Sequence, residues 1–146
     1  MREPGQREMV LSYLEERFGI ERRHFSGFEF YMASKGRVFL GPKRIPGRLK
    51  PVSVGILVAR MSGTVKPSTN LLQLFGRHAS RNIVDLPKEQ ALRYLRGEDL
   101  RLPGNGTTDG YVLMKYLGFP LGCGMLKKGI IKNMLPKAKR IEAKFL

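Results

Sequence analysis

The sequence is poor in the residues that build covalent or metal-held frameworks. It has one cysteine, Cys123, and two histidines, His24 and His78, among 146 residues. A single cysteine excludes an intramolecular disulfide framework, and one thiol with two distant imidazoles does not supply the ligands of a structural zinc site. We therefore predict no bound metal. Cys123 has no neighbouring base and is interpreted as a buried structural thiol.

Long apolar runs are also missing. No stretch approaches the roughly 20 residues that a membrane-spanning helix needs. The first residues, MREPGQRE, lack the apolar core of a secretory signal. These absences predict a soluble cytoplasmic protein.

Acidic residues are scarce. Twelve Asp and Glu stand against 27 Lys and Arg, a formal net charge of +15, although the hydrophobic content of 42% is ordinary for a globular protein. A folded chain with this excess repels itself, and a polyanion compensates it. Nucleic acid is the first candidate and an anionic membrane surface the second. The length allows one compact domain or two small packed units and is too short for most stand-alone catalytic domains with a nucleotide cofactor.

The apolar pattern of the first half predicts helices and strands together. Spacings of three and four residues indicate an amphipathic helix at the start, and alternation of apolar with polar residues indicates strands. The predicted elements are a helix over 4–19, strands over 28–32, 37–40 and 52–61, and a helix from Ser68 or Thr69 to about Ser80.

Two surfaces of this half follow from the same pattern. On the second helix we expect Leu71, Leu72, Leu74 and Phe75 to face the core, and on the first helix we expect Arg17 to lie on a solvated face. The loop over 41–51 holds the basic residues Lys43, Arg44, Arg48 and Lys50 and no acid.

The second half has many glycines and short strands. Its pattern predicts one helix over 87–96 and strands over 83–86, 100–102, 111–117, 119–126 and 139–143. Short strands with one helix in so few residues favour a small β-barrel. We predict an α+β protein of two packed units, residues 1–82 and 83–146.

The end of the chain carries the strongest chemical signal. From Lys127 to Leu146 there are seven basic residues and one acid, Glu142, with apolar residues interleaved. That mixture predicts a folded edge that presents cations, which release counterions from a phosphate backbone. Elsewhere no paired-acid or nucleophile–base pattern occurs, so we predict no catalytic residue and no cofactor.

Several segments of the second half together resemble a known family. They are ALRYLRGEDL (91–100), DGYVL (109–113), GFPLGCG (118–124), GIIKN (129–133) and PK (136–137). In order and spacing they resemble the PUA-like RNA-binding domain at the C-terminus of RsmF-type rRNA cytosine-C5 methyltransferases, the Sun family. The first half resembles the small α+β unit, here called pre-PUA-like, that precedes the PUA fold in such proteins.

The resemblance implies a C-terminal PUA-like β-pseudobarrel that grips structured RNA around its helix and neighbouring strands. The RNA-binding residues implied there are Arg93, Arg96, Lys127, Lys128, Lys132, Asn133, Lys137 and Arg140. The helix end before it adds Arg77 and Arg81, which with His78 form a candidate phosphate-binding face. The family's Gly-rich adenosylmethionine loop and catalytic Pro-Cys pair have no counterpart, because Cys123 follows Gly122.

These observations predict a non-catalytic protein that binds structured rRNA or tRNA. Its expected role is in rRNA modification or ribosome assembly, as a detached RNA-holding module for a separate methyltransferase or with an assembly protein, and not at a membrane. Two alternatives remain. A pocket that joined Arg77, His78 and Asp85 would favour an RNA-modifying enzyme, and a large exposed apolar patch on the first unit would favour a protein-binding scaffold.

Overall fold

The computed structural model describes residues 4–44, 47, 55–101 and 106–141. These residues form helices and two sheets, one in each half of the chain, as the α+β prediction requires. Within this part of the chain, the helices are too short or too polar to cross a bilayer. The division at residue 82 into two domains stays a prediction.

The first half is a four-stranded antiparallel sheet with two helices. Ser68 caps the second helix, because its hydroxyl accepts a hydrogen bond from the backbone N–H of Leu71 at 3.0 Å. The strands lie in the order β1-β2-β3-β4. The elements are α1 (Pro4–Phe18), β1 (Glu29–Met32), β2 (Arg37–Gly41), β3 (Ile56–Met61), β4 (Val65–Pro67) and α2 (Thr69–Phe75).

The second half is a curled five-stranded half-barrel with one helix. The strand order is β5-β7-β8-β9-β6, in which only the β5–β7 pair is parallel among the described strands. The elements are β5 (Ile83–Asp85), α3 (Lys88–Leu95), β6 (Leu100–Arg101), β7 (Gly110–Tyr116), β8 (Phe119–Lys127) and β9 (Ile130–Asn133).

The two halves share a hydrophobic core. Leu113 and Cys123 of the second sheet are buried in the same cluster as the apolar face of α1 and the first sheet. Gly76, directly after α2, packs against Leu113 and Pro120 so closely that an added Cβ would lie 3.0 Å from both side chains. A second cluster, which includes Tyr94, fills the half-barrel. The first unit is therefore packed on the barrel and is not tethered loosely to it.

Arg17 links the two halves through side-chain hydrogen bonds. The prediction that it lies on a solvated face is therefore wrong. Its Nε donates to the carbonyl of Tyr111 at 2.7 Å, and its two terminal nitrogens donate to Oγ1 and the carbonyl of Thr108, each at 2.6 Å. Asn82 completes the joint, since it donates to the Arg17 carbonyl and accepts from Thr108 N–H. The hydrogen bonds outweigh the helical pattern, because the side chain is long enough to reach the second sheet.

Three further expectations differ from the structure. Residues 137–139 form a turn of 3-10 helix, so no strand begins at Lys139; the rest of that predicted strand lies partly outside the described residues. Leu74 is 53% exposed and does not face the core. The strand β4 was not predicted, since it has only three residues. Residues 52–54 of the predicted third strand and positions 45–46 and 48–51 of the basic loop lie outside the described residues.

Candidate nucleic-acid interface

The outer face of the β8–β9 hairpin presents a group of cations, here called the hairpin cluster. Lys127 pairs with Ile130 across the hairpin, and Arg101 of β6 pairs with the same Ile130. Residues two apart on a strand share a face, so Lys132 lies on this face as well. Lys128 occupies the turn. The cluster is defined as Arg101, Lys127, Lys128 and Lys132, all of them exposed.

The register explains why these cations are exposed together. Leu126 and Ile131 alternate with them and are buried in the barrel. Lys128 adopts a positive φ of 49°, and its backbone N–H donates to the Asp109 carboxylate at 3.3 and 3.4 Å, which fixes the turn. In the described ranges, none of the four side chains has a carboxylate within ion-pair distance. Their charges are therefore available to an external anion.

The cations around α3 are held by the protein's own groups. Arg93 pairs with Glu98 at 2.9 Å, and Arg96 approaches the same carboxylate at 4.0 Å. Arg140 donates from Nε to the carbonyl of Leu135 at 3.0 Å. Lys137 is exposed in the 3-10 turn before it. Because exposed ion pairs contribute only about 0–1 kcal/mol, Arg93 and Arg96 can exchange Glu98 for a phosphate.

Asn133, which the resemblance placed among the RNA-binding residues, is 8% exposed and its side-chain amide is fully engaged. The amide nitrogen donates to the carbonyls of Tyr94 at 2.7 Å and Glu98 at 2.9 Å, and the amide oxygen accepts from Leu135 N–H at 2.9 Å. We leave it out of the proposed interface, since it joins the end of α3 to the end of β9.

Arg77 and Arg81 contact residues of the first half of the chain. Arg81 donates to the carbonyl of Glu16 at 3.0 Å, near the end of α1. Arg77 donates from Nε to Nε2 of His78 at 3.3 Å, and both residues line an apolar groove on the first half. Asp85 does not line that groove, so the three residues of the enzyme alternative are not brought together.

A second set of cations, which we did not predict, lies on the first sheet and is here called the cation row. Arg37 of β2 stands directly opposite Arg60 of β3, and Arg60 stands directly opposite Lys66 of β4. With neighbouring strands about 4.8 Å apart, the backbone positions span roughly 10 Å. The row consists of Arg37, Arg60 and Lys66.

The row is electrostatically unfavourable as it stands, because like charges directly opposite one another destabilise a sheet. The guanidinium of Arg37 donates hydrogen bonds to Ser34, and its Cζ lies 5.6 Å from the centroid of the Phe39 ring. Within the described part of the chain, no carboxylate forms an ion pair with Arg60 or Lys66. The alignment depends on strand register and on β4, and neither can be derived from charge counting along the sequence.

The cation row adjoins the second sheet. A cleft of about 180 Å³ is lined by Arg60 and Lys66 together with Tyr111 and Met134. Met134 follows β9, the strand that carries Lys132 of the hairpin cluster. Cations of the first sheet thus reach the joint between the two halves.

Cys123 is buried as predicted, with 1% exposure. Burial raises the pKa of its thiol to about 12. Its backbone carbonyl accepts a hydrogen bond from the hydroxyl of Tyr94 at 2.7 Å, which ties α3 to β8. A buried thiol of this kind packs in the hydrophobic core and does not act as a nucleophile.

Comparison with known proteins agrees with the resemblance. Residues 81–141 match the family described as the methyltransferase RsmF PUA domain. Ribosomal RNA small subunit methyltransferase F of Shewanella oneidensis is 25% identical over 137 residues, which are 92% of this chain and 28% of that protein. The protein of the same name from Shewanella sp. strain MR-4 is 40% identical over 55 residues, 38% of this chain and 11% of the relative.

A solved structure shows the same fold. The conserved PUA domain protein from Thermoplasma acidophilum superposes with a TM-score of 0.58 at 19% identity, covering 94% of this chain and 95% of that one. The chain spans less than a third of the length of the methyltransferases it matches. Taken with the half-barrel and its matched segments, these similarities show that the chain has the PUA-type fold and that residues 81–141 match the RsmF PUA-domain family.

Proposed function

We propose that this chain is an RNA-binding module that holds structured rRNA or tRNA across both of its sheets. One observation carries the proposal: strand pairing brings cations together on each sheet. Six of the seven are exposed, and none of the seven has a carboxylate within ion-pair distance among the described residues. The hairpin cluster supplies one set and the cation row the other. The PUA domain and a net charge of +15 support the same conclusion.

Phosphates supply the affinity in this arrangement. Each Lys or Arg that neutralises a phosphate releases condensed counterions, and the release favours binding. Within the cation row, an RNA strand also relieves the repulsion between neighbouring side chains. Because A-form RNA has a major groove too narrow to read, we expect recognition to depend on shape and 2′-hydroxyl contacts.

The finer role that we propose is in rRNA modification or ribosome assembly. The relatives that contain a similar region are named as small-subunit rRNA methyltransferases. A chain that spans 28% of such a relative and matches its PUA domain suits the task of positioning RNA for a methyltransferase. Crosslinking the chain to RNA in cells and sequencing the attached fragments identifies the target; recovery of no structured RNA contradicts this role.

The experiment for the interface removes two charges from the hairpin cluster. Lys127→Gln with Lys132→Gln should weaken binding to a structured RNA and reduce the slope of log K against log salt by roughly one per lost contact. The matched control, Arg7→Gln with Arg22→Gln, removes the same charge from outside both cation sets. Arg7 is already paired with Glu29, and Arg22 with Glu8 and Glu15, so the control should keep the salt slope.

Two outcomes contradict the proposal. Equal affinity for the wild type and the hairpin variant removes this surface from the interface. If the affinity of the wild type for RNA is the same at low and physiological salt, phosphate contacts do not drive binding.

A further inference from the structure

The first half carries an apolar groove that the cation surfaces do not explain. Its volume is about 820 Å³, within the range of small-molecule sites. Phe28, Leu74 and Phe75 form its apolar wall. Phe28 is 41% exposed and Leu74 is 53% exposed, so two large apolar side chains of this groove are in contact with solvent. An apolar groove of this size with exposed side chains at its wall is a candidate binding site.

Flat π-systems line the groove. Phe28 meets Phe75 edge to face, with ring centroids 6.3 Å apart and an interplanar angle of 88°. At another side, the imidazoles of His24 and His78 are stacked at 3.6 Å with an interplanar angle of 15°. Aromatic planes of this kind bind planar ligands by stacking.

Arg77 brings a cation to the groove and forms a hydrogen bond with one histidine of the stacked pair. Its Nε donates to Nε2 of His78, which requires that nitrogen to be unprotonated. Burial, and then the neighbouring His24, Arg77 and Arg23, lower the pKa of His78. The guanidinium of Arg77 stays charged and supplies the cation of the groove.

We propose that this groove binds an unpaired nucleobase of RNA, stacked on the ring of Phe28, with the adjoining phosphate on Arg77. The proposal rests on the RNA-binding function above and names a contact on the first half that the PUA domain does not supply. Unpaired bases stack on Phe and His rings, and every base offers such a face.

Charge favours a nucleotide over a protein segment as the occupant. Among the described residues that line the groove, Arg77 is charged and no carboxylate is present. Lys43 and Arg44 are exposed immediately after Pro42, which lines the groove. An apolar peptide would leave these cations without a partner, whereas the phosphates on either side of an extruded base match them.

The test compares two RNAs and substitutions at one ring. One RNA is a hairpin whose unpaired loop base is replaced by 2-aminopurine. This RNA should bind, and the fluorescence of the 2-aminopurine should be quenched when the base stacks on Phe28. The other RNA is a fully paired duplex, which should bind through the cation surfaces alone. Phe28→Ala should weaken loop binding roughly 5- to 100-fold, the effect of losing one stacked base, and leave duplex binding unchanged. The matched control is Phe119→Ala, which removes a 69% exposed ring from the start of β8.

A second variant separates stacking from general apolar contact. Phe28→Leu keeps apolar bulk but removes the ring, so stacking predicts a loss close to that of Phe28→Ala, and Phe28→Trp should retain binding and quenching. Thermal melting verifies that each variant is folded. Loop affinity that is equal for wild type, Phe28→Ala and Phe28→Leu overturns the proposal and leaves the groove to an apolar protein partner. If the Lys127→Gln and Lys132→Gln double variant still binds the duplex more weakly than the wild type, the proposed RNA-binding function survives that result.

Discussion

Asn133 provides the sharpest test of whether a residue in the PUA domain contacts RNA or holds the fold. Replacing it by Ala removes three hydrogen bonds at once. The Tyr94 carbonyl keeps a partner, the N–H of Gly97 at 2.9 Å, but the N–H of Leu135 loses the acceptor that the structure gives it. Leu135 is 2% exposed, so water cannot replace that acceptor without local opening.

The cost follows from the groups left unsatisfied. A buried polar group without a partner costs about 1–3 kcal/mol, and the carbonyl of Glu98 adds a smaller loss where solvent reaches it. We therefore expect Asn133→Ala to lower the free energy of unfolding by about 2–4 kcal/mol. For a chain of this size the melting temperature should fall by roughly 5–15 °C.

A charge-changing variant adds a pH signature. In Asn133→Asp, a carboxylate oxygen replaces the amide nitrogen and faces the carbonyls of Tyr94 and Glu98, which repel it. The folded-state pKa of the new carboxyl is raised above its unfolded value, so stability is best preserved at low pH and is lost as the pH rises through the carboxyl range. Urea denaturation at pH 4 and pH 7, each relative to wild type, should show the larger loss at pH 7.

The refuting result is specific. If Asn133→Ala unfolds at the wild-type urea concentration yet binds structured RNA more weakly, then Asn133 is a contact residue, as the family resemblance implied, and the structural role derived from its hydrogen bonds is wrong. Unchanged RNA affinity of the folded variant, together with reduced stability, supports the structural role.

Four other expectations can be measured, three on single variants and one on the native protein. Arg17→Ala should cost about 1–3 kcal/mol in urea denaturation; an unchanged midpoint would show that the hydrogen bonds to Thr108 are not needed. Ser68→Ala should cost about 1 kcal/mol by loss of the helix cap, and no shift in melting temperature would argue against the cap. Cys123 should resist iodoacetamide until the chain is unfolded, and fast alkylation of the native protein would contradict its burial. Arg60→Gln should raise the melting temperature and weaken RNA binding; a lower melting temperature would show that the cation row is not repulsive.

The elements of this fold could be predicted where each carries its own periodic pattern. The helices α1 and α3 and the long strands of the barrel follow the predicted positions closely, because apolar spacing and glycine or proline at their ends are local signals. The strand β4 was missed, since three residues are too few to show alternation. The 3-10 turn at Lys137–Lys139 was also missed, because the apolar and basic residues around it resemble a strand.

The candidate interface was predictable in its charge and not in its geometry. A net charge of +15 and the cations after Lys127 indicated an anionic partner, but which cations stand together is decided by strand pairing. Arg101 joins the hairpin cluster only because β6 pairs with β9, a neighbour distant in sequence. The prediction for Arg17 was wrong for a related reason. Helical periodicity indicates which face of the helix a residue occupies, but it does not show that a long side chain reaches another sheet.

Leu74 shows how a wrong burial prediction can point to a candidate binding surface. Its helical spacing places it with Leu71 and Leu72, which are fully buried, yet it is 53% exposed beside the groove. A leucine that is 53% exposed forgoes roughly half of the 1.5–3 kcal/mol that its full burial would contribute. The cation row forgoes stability as well, since its charges repel one another in register. Both costs lie on the first half of the chain, outside the matched PUA segment. The proposed RNA contacts would reduce each of them, the first by a base against Leu74 in the groove and the second by phosphates on the row.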